Sequence, residues 1–486
     1  MKLTLLSSII LLPFTLALAK GGNSKLLINP PAQPSLPSIS EAESAANAVG
    51  LNLTNIQGDI LIGMKKKKEL FFFFGIVDAL AFKSNLKAHI LPLVTPIPPL
   101  LPGGTSPTTA LNIAFSQNGF DALNITDNLG DAPFANGQFV GASGLGDPGT
   151  VNWIPPFTGN KIHGVILLAS DTIDNINNTL IDLKSGLGQS ITEIYSLQGA
   201  ARPPPEEGHE HFGFLDGISN PAVQGFRDPS PGQAVVSPGE ILVEDSSRPP
   251  WAQDGSFLVF RQLEQLVPEF NKFLADNPIR APALTTQQGS DLLGARMVGR
   301  WKSGAPTFLS PLVDDPVLGN DTSRNNDFTY AAPGQNQSDP TDQSHTPFSA
   351  HIRKTRPRAD LGLPEKPKHH IVRGGIPYGP EQSEDEIRSN TTKTERGLAF
   401  VCYQSSIAAG FQFLQQTWAN NVNFSKTDTG FDPIIGANRG APRVVNGLDP
   451  TLPSRRFTIM TDFIVSRGGE YFFSPSLSAL ATTFSA

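Results

Sequence analysis

The segment from His211 to Pro221 contains one carboxylate, Asp216, whose surroundings are suited to an acid–base role. Gly213 and Gly217 flank it, and glycine adopts backbone conformations that let a bulky ligand approach the main chain. The other neighbours are mostly apolar, so an ionised Asp216 would be partly desolvated, which is costly unless its charge is used or paired. The segment predicts either an acid–base residue or an ordinary Asp-Gly turn, and the short pattern alone favours the turn.

A second candidate is His351, which is followed closely by a cluster of lysine and arginine side chains. An imidazole can bind a metal, and nearby cations suit a ligand that carries carboxylates. The alternative is a surface basic patch that contains a histidine. The other histidines are weaker candidates. His369 and His370 are adjacent in sequence and would rarely point at one metal, while His209 and His211 lack the second half of a zinc motif.

The composition indicates a globular protein and argues against a nucleic-acid partner. The chain has 486 residues, enough for two or three domains with real cores, and is 39% hydrophobic and 17% charged. Its net charge of -7 is the wrong sign for binding a phosphate backbone. Cys402 is the only cysteine, so no intramolecular disulfide can form, and its apolar neighbours favour a small buried side chain over a reactive thiol.

The N-terminus has the pattern of an export signal. Lys2 precedes an apolar run that ends at Leu18, and Ala17-Leu18-Ala19 has the small-x-small pattern of a cleavage site, so we assign residues 1–19 to a signal peptide. No later segment approaches transmembrane length, so we expect a secreted, extracellular protein with no membrane partner. Residues 20–52 are rich in Pro, Ser and Ala and are expected to be a propeptide or a disordered lead-in. Seven Asn-x-Ser/Thr sequences agree with secretion and are candidate glycosylation sites: Asn52, Asn124, Asn177, Asn320, Asn336, Asn390 and Asn423.

Strands and helices alternate through the rest of the chain without the period of a repeat protein. Apolar runs predict strands at residues 70–74, 164–170, 257–260 and 398–403. Apolar residues at helical spacing predict a helix at residues 263–274. This alternation predicts an α+β fold, although the pattern does not specify which one.

Six separated segments resemble fungal dye-decolourising peroxidases, which are haem enzymes. They are the Asp216 segment and residues 55–61, 299–304, 350–354, 373–379 and 397–400, and their order also agrees with the family. The resemblance covers the chain from about residue 53 to its C-terminus. It implies two ferredoxin-like domains with antiparallel sheets, of the dimeric α+β barrel type, over residues 53–230 and 231–486. It also implies one haem b per chain, held mainly by the second domain.

The resemblance implies a role for each matching position. His351 is expected to be the proximal haem iron ligand, and Asp432 the carboxylate that accepts the other N–H of its ring. Asp216 is expected to be the distal acid–base residue, and Arg373 its distal partner. Many relatives carry a second arginine after the distal one, but this chain has Gly374, which would alter the charge around the pocket.

Four further residues are expected to contact the haem or the peroxide pocket. Leu398 and Phe400 match positions that line the peroxide pocket in the family. Arg353 and Arg358 follow the candidate proximal histidine, and their charges suit the two haem propionates.

These roles imply a mechanism. Peroxide binds ferric iron as an acid, and a carboxylate moves its proton from the inner to the outer oxygen before the O–O bond breaks. An arginine stays protonated, so Arg373 would stabilise negative charge on the departing oxygen. An aspartate remains ionised at lower pH than a histidine, so we expect activity to be strongest on the acid side of neutrality.

A tight apolar pocket would exclude bulky dyes, so we expect aromatic side chains to carry electrons to the surface. Tyr378 and Trp418 are the predicted electron relays, with Trp418 expected to reach solvent. Core packing is the alternative for both, and it is the better interpretation for Trp153, Trp251 and Trp301.

The sequence therefore predicts a secreted, monomeric haem peroxidase that uses hydrogen peroxide to oxidise aromatic reductants, namely dyes, phenols and lignin-like compounds. One alternative is a haem-binding or storage protein with incidental peroxidase activity. Another is a glycosylated wall or interaction protein without a cofactor. Asp216 and Arg373 together favour the enzyme, because storage needs neither.

Overall fold

The computed structural model describes residues 32–63, 66–331, 340–362 and 369–486. Its strands are β1 (Lys68–Ile76), β2 (Ala110–Phe115), β3 (Gly164–Ser170), β4 (Ile191–Ala200), β5 (Ala222–Val223), β6 (Val235–Val236), β7 (Ser256–Gln265), β8 (Val372–Arg373), β9 (Ile376–Tyr378), β10 (Gly397–Gln404), β11 (Arg443–Val445), β12 (Phe457–Ile459) and β13 (Ile464–Ser474). Its α-helices are α1 (Ile39–Val49), α2 (Asp59–Ile62), α3 (Ala79–Asn85), α4 (Gln117–Ala122), α5 (Ala132–Asn136), α6 (Gln138–Gly141), α7 (Ile173–Leu187), α8 (Pro238–Ile241), α9 (Val267–Asp276), α10 (Thr286–Val298), α11 (Pro316–Gly319), α12 (His351–Thr355), α13 (Glu384–Ser389), α14 (Phe411–Phe413) and α15 (Leu477–Ala481).

The main sheet closes on itself as a barrel. Its strands run in the order β7-β13-β2-β3-β1-β4-β9-β10, and β10 pairs back onto β7, with β8 paired to β10 as well. The pairings are antiparallel, which confirms the expected α+β class. The two halves of the chain meet at narrow seams, where β2 pairs with β13 through Phe115 and Phe473, and β4 with β9 through Gly199 and Tyr378. Closure leaves few strand edges exposed.

Both faces of the barrel wall are buried, which explains the apolar run from Leu70 to Phe74 within β1. Successive side chains of a strand point to opposite faces. Phe71 and Phe73 pack in one hydrophobic cluster, with residues of β7, β10 and β13. Phe72 and Phe74 pack in a second cluster, with the helices that cover the wall. Strands that are covered on both faces need apolar residues at every position.

The structure differs from two expectations in this region. The helix predicted at residues 263–274 begins only at Val267, because β7 stays paired with β13 through Gln265 and Pro268 occupies the first turn of α9. Residues 39–49 form α1, which begins with a capping box between Ser38 and Glu41. The disordered alternative for the lead-in is therefore wrong for this part of it.

The expected signal peptide, residues 1–19, lies outside the described residues. Within the described ranges, no helix combines the length and apolar character needed to cross a bilayer.

Candidate active site

The proximal candidate, His351, is the first residue of α12 and is paired with a buried carboxylate. Its Nδ1 lies 2.8 Å from Oδ2 of Asp432, which is fully buried. Oδ1 of Asp432 accepts the backbone N–H groups of Ile434 and Ile435 at 2.8 and 3.0 Å. Burial acts to raise the pKa of Asp432, but His351 and these N–H groups outweigh it and hold the pKa below its usual value. Asp432 is therefore ionised, so Nδ1 of His351 donates and Nε2 is left for a metal.

The distal candidates, Asp216 and Arg373, form an ion pair. Nη1 of Arg373 donates to Oδ1 of Asp216, and the same oxygen accepts the N–H of Gly217 at 2.6 Å. Burial acts to raise the pKa of Asp216, but the charge and hydrogen bond of Arg373 outweigh it, so the pKa lies below its usual value. Asn220 positions the arginine, since its side chain both accepts the N–H of Arg373 and donates to its carbonyl, each at 3.1 Å.

His351 and the Asp216–Arg373 pair line one cavity of about 290 Å³, and Asp432 is buried behind His351. Its other lining residues are mostly apolar and come from several elements. Leu398 and Phe400 project into it from one face of β10, as their spacing of two requires. The predicted residues Asp216, Arg373, His351, Leu398 and Phe400 therefore meet in one place. In the described part of the chain, no group of three or more His, Cys, Asp or Glu side chains is arranged to hold a metal ion.

The arginines near His351 differ from expectation. Arg353 does not line the cavity: it is buried, its Nε and Nη2 donate to the carboxylate of Asp360 at 2.8 Å, and it lies over the ring of Phe348. The prediction that it binds a propionate is therefore wrong. Arg358 does line the cavity, and so does Arg356, which the sequence analysis did not nominate. Because these arginines are closely spaced in sequence, only their directions in space separate them.

The two predicted relays are buried, which contradicts the expectation that Trp418 reaches solvent. Trp418 is 6% exposed and stacks on Phe424 with ring centroids 5.0 Å apart. It also contacts Phe413, which stacks at 3.6 Å on His369, a residue of the cavity lining. The indole is therefore linked to the cavity by ring contacts.

Tyr378 is linked to a second aromatic residue by polar contacts. Its hydroxyl donates to Oε1 of Glu395 at 2.8 Å, and burial together with this carboxylate raises the pKa of Tyr378 well above its usual value. Gln262 also donates to Glu395 at 2.7 Å and accepts the hydroxyl of Tyr195 at 3.0 Å. Tyr195, which the sequence analysis missed, is partly exposed, so this hydrogen-bond network extends from Tyr378 to the protein surface.

Gly374 lies against two buried side chains. A Cβ at Gly374 would lie 3.2 Å from Oδ2 of Asp59 and 3.4 Å from the ring of Tyr403. Those two side chains are themselves hydrogen-bonded at 2.8 Å. A side chain at position 374 would require Asp59 to move by a few tenths of an ångström.

Two family models match the chain. The first, described as the DyP dimeric alpha+beta barrel domain, matches residues 55–203, and the second, described as the C-terminal part of Dyp-type peroxidases, matches residues 314–430. The chain belongs to the dye-decolourising peroxidase family. It is accordingly a haem-dependent peroxidase, and the arrangement around the cavity, with a histidine and an Asp–Arg pair, is consistent with that chemistry.

Relatives match over nearly the whole chain. "Peroxidase 2" of Mycetinis scorodonius is 59% identical over 95% of this chain and 93% of its own length. A dye-decolorizing peroxidase of Auricularia auricula-judae is 54% identical over 93% of this chain and 90% of its own. A solved structure of the enzyme from A. auricula-judae superposes with a TM-score of 0.86 and 54% identity, covering 90% of this chain and all of that one.

Proposed function

We propose that this chain is a secreted haem b peroxidase that uses hydrogen peroxide to oxidise dyes, phenols and lignin-like aromatics. The observation that carries the proposal is that His351, which is hydrogen-bonded to the buried Asp432, lines the same cavity as the Asp216–Arg373 pair. The names of the relatives support dyes as substrates. A bound haem would supply ferric iron, which binds peroxide and takes up its oxidising equivalents.

On the proximal side, Nε2 of His351 would hold the iron. Asp432, ionised and buried, draws on the Nδ1 proton and makes the imidazole a more basic ligand. Arg356 and Arg358 line the cavity close in sequence to His351, and their charges suit the haem propionates. Arg358 also donates to the carbonyl of Asn326 at 3.0 Å, so its guanidinium is held in place.

On the distal side, Asp216 moves the proton. The hydrogen bonds of Arg373 and Gly217 both fall on Oδ1, so Oδ2 would take the proton from the inner peroxide oxygen and return it to the outer one. Arg373 would stabilise the charge that develops on that oxygen. Because the pKa of Asp216 lies below its usual value, the carboxylate stays ionised in mild acid, which supports the expected acid optimum.

Bulky reductants would be oxidised at a distance from the cavity. Trp418 is linked to the cavity lining through Phe413 and His369. Tyr378 has a carboxylate, Glu395, at hydrogen-bond distance, which could take its phenolic proton as an electron leaves. These contacts support both residues as relays, although neither is at the surface itself.

Secretion, glycosylation and a monomeric state complete the proposal. The candidate acceptors Asn52, Asn124, Asn177, Asn320, Asn390 and Asn423 are all exposed, and Asn336 lies outside the described residues. Exposure is what a glycan requires. Intact-mass analysis and gel filtration of the secreted protein would test these points.

The central test uses a matched pair of carboxylate variants. Asp216→Asn should keep the haem absorption spectrum but react with hydrogen peroxide at least about a hundredfold more slowly, as the loss of a general base predicts. Asp228→Asn, at an exposed position, should behave as the parent. An Asp216→Asn variant that reacts with peroxide at the parent rate would exclude this carboxylate as the base. Absence of a Soret band in the parent would exclude the haem enzyme altogether.

A further inference from the structure

The N-terminal part of the described chain is docked onto the protein. Residues 32–53, here called the strap, precede residue 55, where the match to the family model begins. Ala42 and Ala46 of α1 are buried in the same cluster as the apolar side chains of the barrel. Val49 packs so tightly on Gly225 that a Cβ on this glycine would lie 2.1 Å from a methyl of the valine. The strap therefore has a specific seat on the folded chain.

The first residues of the strap contact the segment that carries Asp216. The buried amide of Gln33 donates to the backbone carbonyl of Asp216 at 2.5 Å. This approach needs Gly217, which has φ +88°, because a Cβ there would lie 2.5 Å from Nε2 of Gln33. The carbonyl of Ala32, also buried, accepts a hydrogen bond from the side chain of Asn325 at 2.9 Å. Residues 32 and 33 are thus each hydrogen-bonded to the rest of the folded chain.

A small cavity lies where Gln33 meets the distal residues. Its volume is about 20 Å³, and its lining includes Gln33, Lys66, Gly208, Asp216 and Leu398. Asp216 and Leu398 also line the large cavity, so these two side chains separate the small cavity from the large one. A space of this size holds about one water molecule. Hydrogen peroxide is only slightly larger than water, so the small cavity is a candidate passage to Asp216, and Gln33 forms part of its wall.

We propose that the surface around Asp216, Gly217 and Gly225 is a docking groove for the strap, and that the docked strap closes the passage by which peroxide reaches the distal residues. The groove recognises the amide side chain of Gln33, followed by the buried alanines of α1. The inference deepens the proposed function and rests on it for the identity of the blocked reactant. While the chain is intact, the strap is tethered at a high effective concentration and stays in place. A cut between α1 and Leu53 lets it dissociate and opens the passage.

The test uses the full-length ferric holoprotein and a probe that does not depend on turnover. Stopped-flow spectroscopy would follow cyanide binding to the haem, and then the reaction with hydrogen peroxide. Three proteins are compared with the parent: Gln33→Ala, the control Glu43→Ala on the exposed side of α1, and a chain with a specific protease site inserted after the exposed Gly50, cut after folding. The Gln33→Ala and cut proteins should bind cyanide about tenfold faster or more, while Glu43→Ala should match the parent. A synthetic peptide of residues 32–53 should slow the cut protein again.

The outcomes separate this inference from the proposed function. Equal rates of cyanide binding in the parent, Gln33→Ala and cut proteins would refute the proposal that the strap closes the passage. Slower binding after the cut would refute it too, since the strap would then only stabilise the site. Gln33→Ala keeps the chain intact and so remains informative if the cut protein releases its haem. If cyanide binding responds to the strap but peroxide oxidises no dye, the docking groove stands and the proposed substrates fail.

Discussion

Replacing Asp432 with asparagine isolates the electrostatic part of the proximal site. Asparagine has nearly the same size and keeps one carbonyl oxygen, but it carries no charge. In the parent, Oδ2 accepts the Nδ1 proton of His351, and Oδ1 accepts the N–H groups of Ile434 and Ile435. The variant can keep some of these bonds but not the ionic character of any of them.

The expected loss of stability follows from the full burial of Asp432. A hydrogen bond to a charged group contributes about 1.5–3 kcal/mol and a neutral one about 1 kcal/mol, so Asp432→Asn should lower the free energy of unfolding by about 1–2 kcal/mol. Because the pKa of Asp432 is lowered in the folded protein, its contribution is present above the unfolded pKa and is lost as pH falls through the folded one. The difference between parent and variant should therefore shrink in acid.

The same change should weaken the proximal ligand. Loss of a carboxylate that accepts from a metal-bound histidine typically costs about 10–100-fold in activity or affinity. We expect the ferric/ferrous potential to rise and the peroxide reaction to slow within that range. Spectroelectrochemical titration and stopped-flow spectroscopy at neutral pH would measure both.

A matched control exists in the same half of the chain. Asp449 is also buried, and it accepts the N–H groups of Thr451 and Leu452 but has no hydrogen bond to His351. Asp449→Asn should lose comparable stability and keep the parent's potential. If Asp432→Asn also kept the parent's potential and peroxide rate, Asp432 would only be holding its loop, and the reasoning about the proximal ligand would be refuted.

Three more outcomes are expected. Arg373→Leu removes the guanidinium that lowers the pKa of Asp216, so the acid limb of the pH–rate profile should move to higher pH, and an unmoved limb would contradict the ion pair's role. Trp418→Phe should reduce the oxidation of bulky dyes several-fold while sparing the reaction with peroxide. The control Trp301→Phe, outside the cavity lining, should change neither rate. Equal dye turnover in the parent and both variants would exclude Trp418 as a relay. Burial raises the pKa of Glu470 from its usual 4.5 to about 7, so stability should fall as pH rises between these values. Glu470→Gln should abolish this dependence of the free energy of unfolding on pH, and at about pH 8 the variant should be more stable than the parent by up to about 3 kcal/mol. Thermal or denaturant unfolding would measure both effects. A pH dependence that persists in the variant would show that another group is responsible.

The sequence alone was enough to predict the residue types of the site and the class of the fold. Asp216 is marked by its flanking glycines and His351 by the cations that follow it, and resemblance to a family in separated segments linked them to Arg373 and Asp432. The strand at Phe71–Phe74 could be predicted from neighbouring residues alone, because a strand buried on both faces appears in the sequence as a continuous apolar run.

Tertiary structure decided which of several similar side chains face the site. Arg353 turns to Asp360 while Arg356 and Arg358 line the cavity, a choice that depends on the direction of a short helix and is invisible in a run of basic residues. Trp418 is followed by polar residues in sequence yet is covered by Phe424, which arrives from a later loop. The contact between Gln33 and Asp216 joins residues 183 positions apart. Such contacts depend on the folded barrel. No local sequence pattern predicts them, because the partners are so distant in the chain.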